Sequence, residues 1–196
     1  MKKIILVMSI FVLVGCVYAE EFSTVNVNGV DFEIPSKYAN GDSSKGKYVF
    51  NDLRTFAILC VDDYIVSNYG GFYKICDSSQ KMTVGDRPCM HLVIYNKYID
   101  NNVSYLYFPC EKSVYCICYQ GNDVNGSISH IVESASPSNM SDETFYGLLN
   151  EAYKEHQNRE YLDTLTDDNS DYVSKTNQHE TYSNDQLVKW YLLTHW

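Results

Sequence analysis

The spacing of apolar residues changes about two thirds of the way along this 196-residue chain, and that change constrains the fold more than any single motif. Up to Tyr119, apolar residues alternate with polar ones or form short continuous runs, which is typical of β-strands. From Ile128 onward they recur at the three- and four-residue spacing of an amphipathic helix. Strands first and helices last predict an α+β fold, with a mostly antiparallel sheet and two C-terminal helices packed on one face.

The first two strands are specified most sharply. Residues 24–27 and 30–34 alternate apolar and polar side chains around Asn28-Gly29. That dipeptide suits a type I′ turn, because both central residues need a positive φ. The two-residue loop predicts that Val27 lies opposite Val30 and that Val25 lies opposite Phe32.

Further elements follow from the same patterns. A turn is predicted at Gly70-Gly71, and residues 77–87 form a polar segment that contains Gly85-Asp86. Apolar periodicity predicts helices at residues 128–135 and from residue 141 onward. The remaining strands are predicted at residues 48–50, 55–61, 72–76, 90–95, 104–108 and 114–119.

Four segments are expected along the chain. Residues 1–19 are predicted to be a signal peptide, and residues 20–160 a single globular α+β domain. Residues 161–184 are dense in Asp, Asn, Ser and Thr, which predicts an acidic, mobile linker. Residues 185–196 are predicted to form a short C-terminal helix.

The N-terminal residues predict export. Lys2 and Lys3 precede an apolar run, and Val17-Tyr18-Ala19 supplies small residues where a signal peptidase cleaves. Cleavage after Ala19 would place the protein outside the cytoplasm, secreted or at the cell surface. Residues 13–16 also resemble a lipobox, which makes Cys16 a candidate for lipidation. Membrane contact is expected only through the signal or a lipidated Cys16.

Six cysteines lie beyond the signal, and an even number in an exported chain predicts disulfides. Buried free thiols are the alternative. A two-residue turn at residues 111–112 would place Cys110 on the opposite face of the sheet from Cys116 and Cys118. The partners of Cys116 and Cys118 are then expected among Cys60, Cys76 and Cys89. The disulfide candidates are Cys60, Cys76, Cys89, Cys110, Cys116 and Cys118.

The same cysteines give a second functional hypothesis, a metal- or thiol-dependent activity centred on Cys110, Cys116 and Cys118. Cys116 and Cys118 share one face of a strand. Cys89 and His91 could add metal ligands from a neighbouring strand. The paired Cys-x-x-Cys spacing of structural zinc sites is absent. No catalytic or cofactor-binding motif occurs, so neither an enzymatic activity nor a cofactor is expected.

The net charge of the chain limits the kinds of molecule that it can bind. Without Lys2 and Lys3 the chain has 13 basic residues (15 − 2) and 25 acidic ones, a formal charge of −12. Nucleic acid is therefore excluded as a partner, because phosphate contacts need Lys and Arg. Tyrosines crowd the strand region, and exposed tyrosines commonly contact proteins and sugars. Sequons place candidate glycosylation sites at Asn102, Asn125 and Asn139.

A sequence resemblance also supports export, but it does not indicate a catalytic activity. The opening Asn28-Gly29-Val30-Asp31-Phe32-Glu33-Ile34-Pro35 resembles that of small exported proteins of methanogenic archaea. The order of elements is similar to that of PsbP-like and DcrB-like domains. The resemblance implies an exported α+β architecture and no particular catalytic residue. The predicted function is an exported binding or structural module that contacts a protein or glycan of the cell envelope.

Overall fold

A computed structural model describes residues 20–170, with side chains through residue 163. The predicted signal peptide, Cys16 and the predicted helix at residues 185–196 lie outside the described residues. The chain divides into two compact units, residues 1–157 and 158–196. The described part of the second unit is the continuation of a single helix.

The elements of the described residues confirm an α+β fold with a mostly antiparallel sheet. In chain order they are β1 (Phe22–Val27), β2 (Val30–Pro35), β3 (Asp42–Ser44), β4 (Lys47–Phe50), β5 (Phe56–Cys60), α1 (Ile65–Ile75), β6 (Ser78–Val84), β7 (Arg87–Asn96), β8 (Asn101–Cys110), β9 (Ser113–Gln120), α2 (Gly126–Ser134) and α3 (Asp142–Ser170). Short 3₁₀ turns follow β2 and β5.

Two sheets organise these strands. The larger has the antiparallel order β3-β4-β5-β9-β8-β7-β6, and β1 and β2 form a separate hairpin. Within that hairpin Val27 pairs with Val30 and Val25 with Phe32, as predicted. Asn28 has φ 53° and Gly29 has φ 88°, so both turn residues adopt the left-handed conformation that the Asn-Gly pair favours.

The larger sheet is covered on both sides. We call the side beneath β1, β2 and α2 the hairpin face; its core includes Phe32, Leu106, Phe108, Ile117 and Ile131. Side chains alternate along a strand, so Tyr105 and Tyr107 point to the opposite side, the helix face. There α1 covers them: the ring of Phe72 stacks on Tyr105 at 4.1 Å, and that of Tyr69 meets Tyr107 edge-on at 5.1 Å.

The expectation that both C-terminal helices pack on one face is not confirmed. Helix α2 supplies Ile131 and Val132 to the hairpin-face core. In contrast, residues 142–157 of α3 pack against α1, where the rings of Tyr153 and Tyr73 lie 4.8 Å apart. Helices α1 and α3 approach closely at Gly70: a Cβ atom at that position would lie 2.5 Å from Cβ of His156.

The elements differ from the sequence prediction in three places. Residues 72–76 and the Gly70-Gly71 pair belong to α1, so the predicted strand and turn there were wrong. Residues 78–84, for which no strand was predicted, form the edge strand β6; most of their side chains are exposed, so the strand has little apolar pattern. Helix α3 continues to Ser170, into the segment predicted as a linker from residue 161. Residues 171–184 of that segment lie outside the described residues.

Candidate functional site

The β8–β9 hairpin separates the cysteine cluster that the sequence singled out. Cys110 pairs with Ser113, Tyr107 with Cys116, and Tyr105 with Cys118, which is the predicted register. Glu111 has φ 52°, as the tight turn at residues 111–112 requires. Cys110 therefore lies in the hairpin-face core, whereas Cys116 and Cys118 lie on the helix face. The predicted separation of Cys110 from the other two is confirmed.

Cys60 and Cys89 lie away from Cys116 and Cys118, the two cysteines with which the sequence predicted that they could form disulfides. Cys60 lies opposite Tyr115 on the hairpin face, and Cys89 belongs to the hairpin-face core. The sheet thus stands between these two thiols and those of Cys116 and Cys118. Cys76 follows the last turn of α1. All six cysteines of residues 20–163 carry free thiols in this structure, and a disulfide in the exported protein stays a prediction.

The proposed four-residue metal set is also divided by the sheet. Cys116 and Cys118 occupy the helix face, whereas the adjacent strand β7 directs Cys89 and His91 to the hairpin face. Within residues 20–163 no group of three or more His, Cys, Asp or Glu side chains is placed to hold a metal ion. The four candidate ligands are therefore not brought together.

Burial suppresses thiolate formation at these cysteines. It raises the pKa of Cys60, Cys76, Cys110 and Cys116, and it raises that of Cys89 to about 12. Asp62 beside Cys60 raises the pKa of that thiol further. A nucleophilic cysteine needs its thiolate near neutral pH. The arrangement therefore gives no support to a nucleophilic role for these five thiols.

A buried polar cluster on the hairpin face joins His91, Ser104 and Tyr119. Nε2 of His91 lies 2.9 Å from Oγ of Ser104 and 3.3 Å from the hydroxyl of Tyr119. Sequence reasoning missed Ser104. The one signal available was a hydroxyl residue, flanked by the apolar Val103 and Tyr105, at the start of the predicted strand 104–108.

Proton accounting argues against a Ser-His catalytic pair at this cluster. Oγ of Ser104 donates its single proton to the carbonyl oxygen of Gly121, 2.7 Å away. Nε2 of His91 must then donate to Ser104, so it has no lone pair with which to accept the serine proton. Ser104 is also fully buried. The cluster therefore fixes a ring orientation and does not form an activated nucleophile.

The exposed aromatic side chains concentrate where β7 turns into β8. Tyr95 is 52% exposed and Tyr98 is 58% exposed, whereas the tyrosines of the sheet interior are buried. The hydroxyl of Tyr95 donates to Oδ1 of Asp100, and its backbone N–H donates to Oδ2 of Asp77. Nζ of Lys97 lies 5.7 Å from the centre of the Tyr98 ring. We call Tyr95, Tyr98 and the carboxylates of Asp77 and Asp100 the tyrosine turn.

The three candidate glycosylation sites differ in surroundings. Asn102 is half-buried on β8, opposite Tyr95. Asn125 is exposed, and its Oδ1 caps α2 by accepting a 3.1 Å hydrogen bond from the N–H of Ile128. Asn139 is exposed in the loop before α3. The sequon at Asn102 thus borders the tyrosine turn.

Comparison with known proteins assigns no activity. No protein-family model and no curated protein sequence matches this chain. Among residues 20–170, no helix combines the length and apolar character needed to cross a membrane.

Proposed function

We propose that this protein is an extracytoplasmic binding module of the cell envelope, and that the tyrosine turn is its contact surface. The observation that carries the proposal is the presentation of two tyrosine rings, each more than half exposed, on a single turn. Exposed aromatic rings on a fixed support are typical of surfaces that bind proteins and sugars.

Hydrogen bonds order the backbone of the turn and the ring of Tyr95 before any ligand arrives. The N–H of Tyr98 donates to Oδ1 of Asn96 at 3.0 Å, and the N–H of Ile99 donates to the carbonyl oxygen of Asn96 at 3.3 Å. Asp100 adopts φ 49° and accepts the Tyr95 hydroxyl. A surface ordered in advance loses less conformational entropy on binding than a flexible one.

The groups around the rings favour a polyhydroxylated ligand. Carboxylates at Asp77 and Asp100, and amides at Asn96, Asn101 and Asn102, surround Tyr95 and Tyr98 in sequence or across the β7–β8 pair. Carboxylate and amide groups hydrogen-bond to hydroxyls, while an aromatic ring covers the apolar face of a sugar. The acidity of the chain disfavours an anionic polysaccharide. A neutral or basic glycan of the envelope fits this chemistry best.

The test compares matched tyrosine variants on a microarray of neutral, basic and acidic oligosaccharides. The unmodified chain should bind neutral or basic glycans, and Tyr95→Ala and Tyr98→Ala should each weaken binding at least tenfold. Tyr161→Ala is the control, because it removes a tyrosine that is 64% exposed on α3. Equal loss in all three variants would contradict a specific surface. Binding to none of the arrayed glycans would overturn the glycan assignment.

The export half of the proposal has its own measurement. Intact mass of the protein recovered from its native envelope or medium reports the N-terminus directly. A chain that begins at Glu20 supports secretion, and one that begins at a lipid-modified Cys16 supports surface anchoring. A full-length chain that retains Lys2 in the cytoplasm would contradict export.

A further inference from the structure

The helix face contains a pair of buried thiols that the tyrosine turn does not use. Sγ of Cys116 lies 3.9 Å from Sγ of Cys118, and the two side chains are 0% and 1% exposed. They project from the same side of β9, paired with Tyr107 and Tyr105, the two rings that α1 covers. Two soft donor atoms at this separation, enclosed by protein, can hold one metal ion between them.

A second buried group in the same layer lacks a partner. Asn68 of α1 is 1% exposed, and its Oδ1 accepts a hydrogen bond from Tyr107 at 2.7 Å. Tyr107 is the strand partner of Cys116 in the β8–β9 pair. Nδ2 of Asn68 has no hydrogen-bond partner. An unsatisfied N–H donor is unfavourable inside a protein, but it stabilises negative charge placed nearby.

We propose that Cys116 and Cys118 form a binding site for a monovalent soft metal ion, Cu(I), on the helix face of the sheet. Thiolate ligands select Cu(I), whereas structural zinc requires four ligands and the described residues supply no group of three. The binding step is 2 RSH + Cu⁺ → [Cu(SR)₂]⁻ + 2 H⁺, so both thiol protons are released to solvent. The complex carries one negative charge, next to the layer that contains the unpaired Asn68 amide.

The thiol separation is compatible with this ion after a small movement. With metal–sulfur bonds of about 2.3 Å, as in zinc thiolates, 3.9 Å corresponds to a sulfur–metal–sulfur angle of about 116°. A linear two-coordinate ion needs the sulfurs about 4.6 Å apart, so they must separate by about 0.7 Å. Rotation about χ1 of either cysteine can supply a displacement of that size.

Helix α1 covers Tyr107 and Tyr105, the strand partners of the two thiols, so local opening of α1 would expose the layer that contains them. It contains adjacent glycines at positions 70 and 71, each of which weakens a helix relative to alanine. The unpaired Nδ2 of Asn68 adds a further unfavourable contribution on the buried side of the same helix. Local opening of α1 is therefore easier than global unfolding, and metal binding would favour the closed state.

The test uses a chain with Cys60→Ala and Cys76→Ala, because those half-buried thiols could bind Cu(I) adventitiously. In this background, one equivalent of Cu(I) per chain should survive competition with a bathocuproine chelator under anaerobic, reducing conditions. Cys116→Ala and Cys118→Ala should each weaken retention at least tenfold. Cys110→Ala is the matched control, since it removes a buried thiol from the other face, and it should leave retention unchanged.

A second readout does not depend on removing either thiol. Cu(I) should slow amide hydrogen exchange at least tenfold across α1 and β9 in the Cys60→Ala/Cys76→Ala chain. Complete transfer of the metal to the chelator, or equal retention by Cys118→Ala and Cys110→Ala, would overturn the proposal. Amide hydrogen exchange at α1 and β9 that does not change on addition of Cu(I) would also overturn the proposal. Glycan binding by Cys118→Ala should be normal, so this site and the tyrosine turn can fail independently.

Discussion

The hydroxyl of Tyr107 donates a 2.7 Å hydrogen bond to Oδ1 of Asn68, across the buried interface between the sheet and α1. Nδ2 of the same amide has no partner. The Oδ1 atom of Asn68 therefore attaches α1 to the sheet, whereas its Nδ2 atom makes the burial of the same side chain less favourable. A buried group left without a partner is unfavourable by about 1–3 kcal/mol, comparable to what one hydrogen bond contributes.

Removing the donor from this pair should destabilise the protein. Tyr107→Phe leaves Oδ1 of Asn68 buried without a partner, and we expect the free energy of unfolding to fall by about 1–3 kcal/mol. Urea denaturation of the two chains measures the difference. The double variant Tyr107→Phe/Asn68→Leu removes both polar groups and should recover most of that loss. A single variant as stable as the unmodified chain would show that the bond contributes nothing.

Arg87 should be a major stabilising contact at the end of α2. Its guanidinium donates to the carbonyl oxygens of Ala135, Ser136 and Pro109, and so it joins the C-terminal end of α2 to β8. Hydrogen bonds from a charged donor contribute about 1.5–3 kcal/mol. Arg87→Met should lower the free energy of unfolding by about that amount, and Arg87→Lys by less. Lys112→Met, at the exposed β8–β9 turn, should change it by less than about 0.5 kcal/mol.

Local patterns were sufficient where the chemistry of a turn and the alternation of a strand agreed. The Asn28-Gly29 turn and the residues 111–112 turn each fixed a register, and both registers are confirmed. The turn at residues 111–112 also placed Cys110 on the other face of the sheet from Cys116 and Cys118, without any tertiary information. A period of two decides the face of every side chain once the turn is known.

The errors arose where tertiary packing outweighs local preference. Gly70 predicts a turn, but in the structure it allows the close approach of α1 to His156. The edge strand β6 contributes only Met82 and Val84 to the core, so its apolar pattern is too short to predict a strand, and its pairing with β7 identifies it. The separation of Cys89 and His91 from Cys116 follows from the β7–β8 register, in which Met90, and not Cys89 or His91, lies opposite Tyr107. The loop between β7 and β8 has no turn motif that would fix this register in advance.

Thiol accessibility should follow the division between the faces. Cys60 and Cys76 are half-buried and should react first with an alkylating reagent in the native, reduced chain. Cys116 and Cys118 should react only in denaturant, because both are fully buried. Peptide mapping of alkylated fragments measures each site separately. Non-reducing maps should contain no linkage from Cys110 to Cys116 or Cys118, and either linkage would contradict the β8–β9 register.

The buried His91 should make stability depend on pH. Burial lowers its pKa below the ordinary value of 6.5, and nearby Asp123 only partly opposes the shift. The unfolded chain therefore binds a proton at a higher pH than the folded chain. Stability should be full above about pH 6.5 and should fall as the pH decreases toward the folded pKa, by at most about 1.4 kcal/mol per pH unit.

The variant His91→Gln isolates this contribution, because an amide can keep a hydrogen bond to Ser104 but cannot titrate. Urea denaturation at several values between pH 7.5 and pH 5 gives a stability curve for each chain. The advantage of the unmodified chain over His91→Gln should shrink as the pH falls below about 6.5. His130→Gln is the control, since that half-exposed ring contacts Glu33 at the surface. Parallel curves of stability against pH for the unmodified chain and His91→Gln would show that His91 has the same pKa in the folded and unfolded states, which would contradict the prediction.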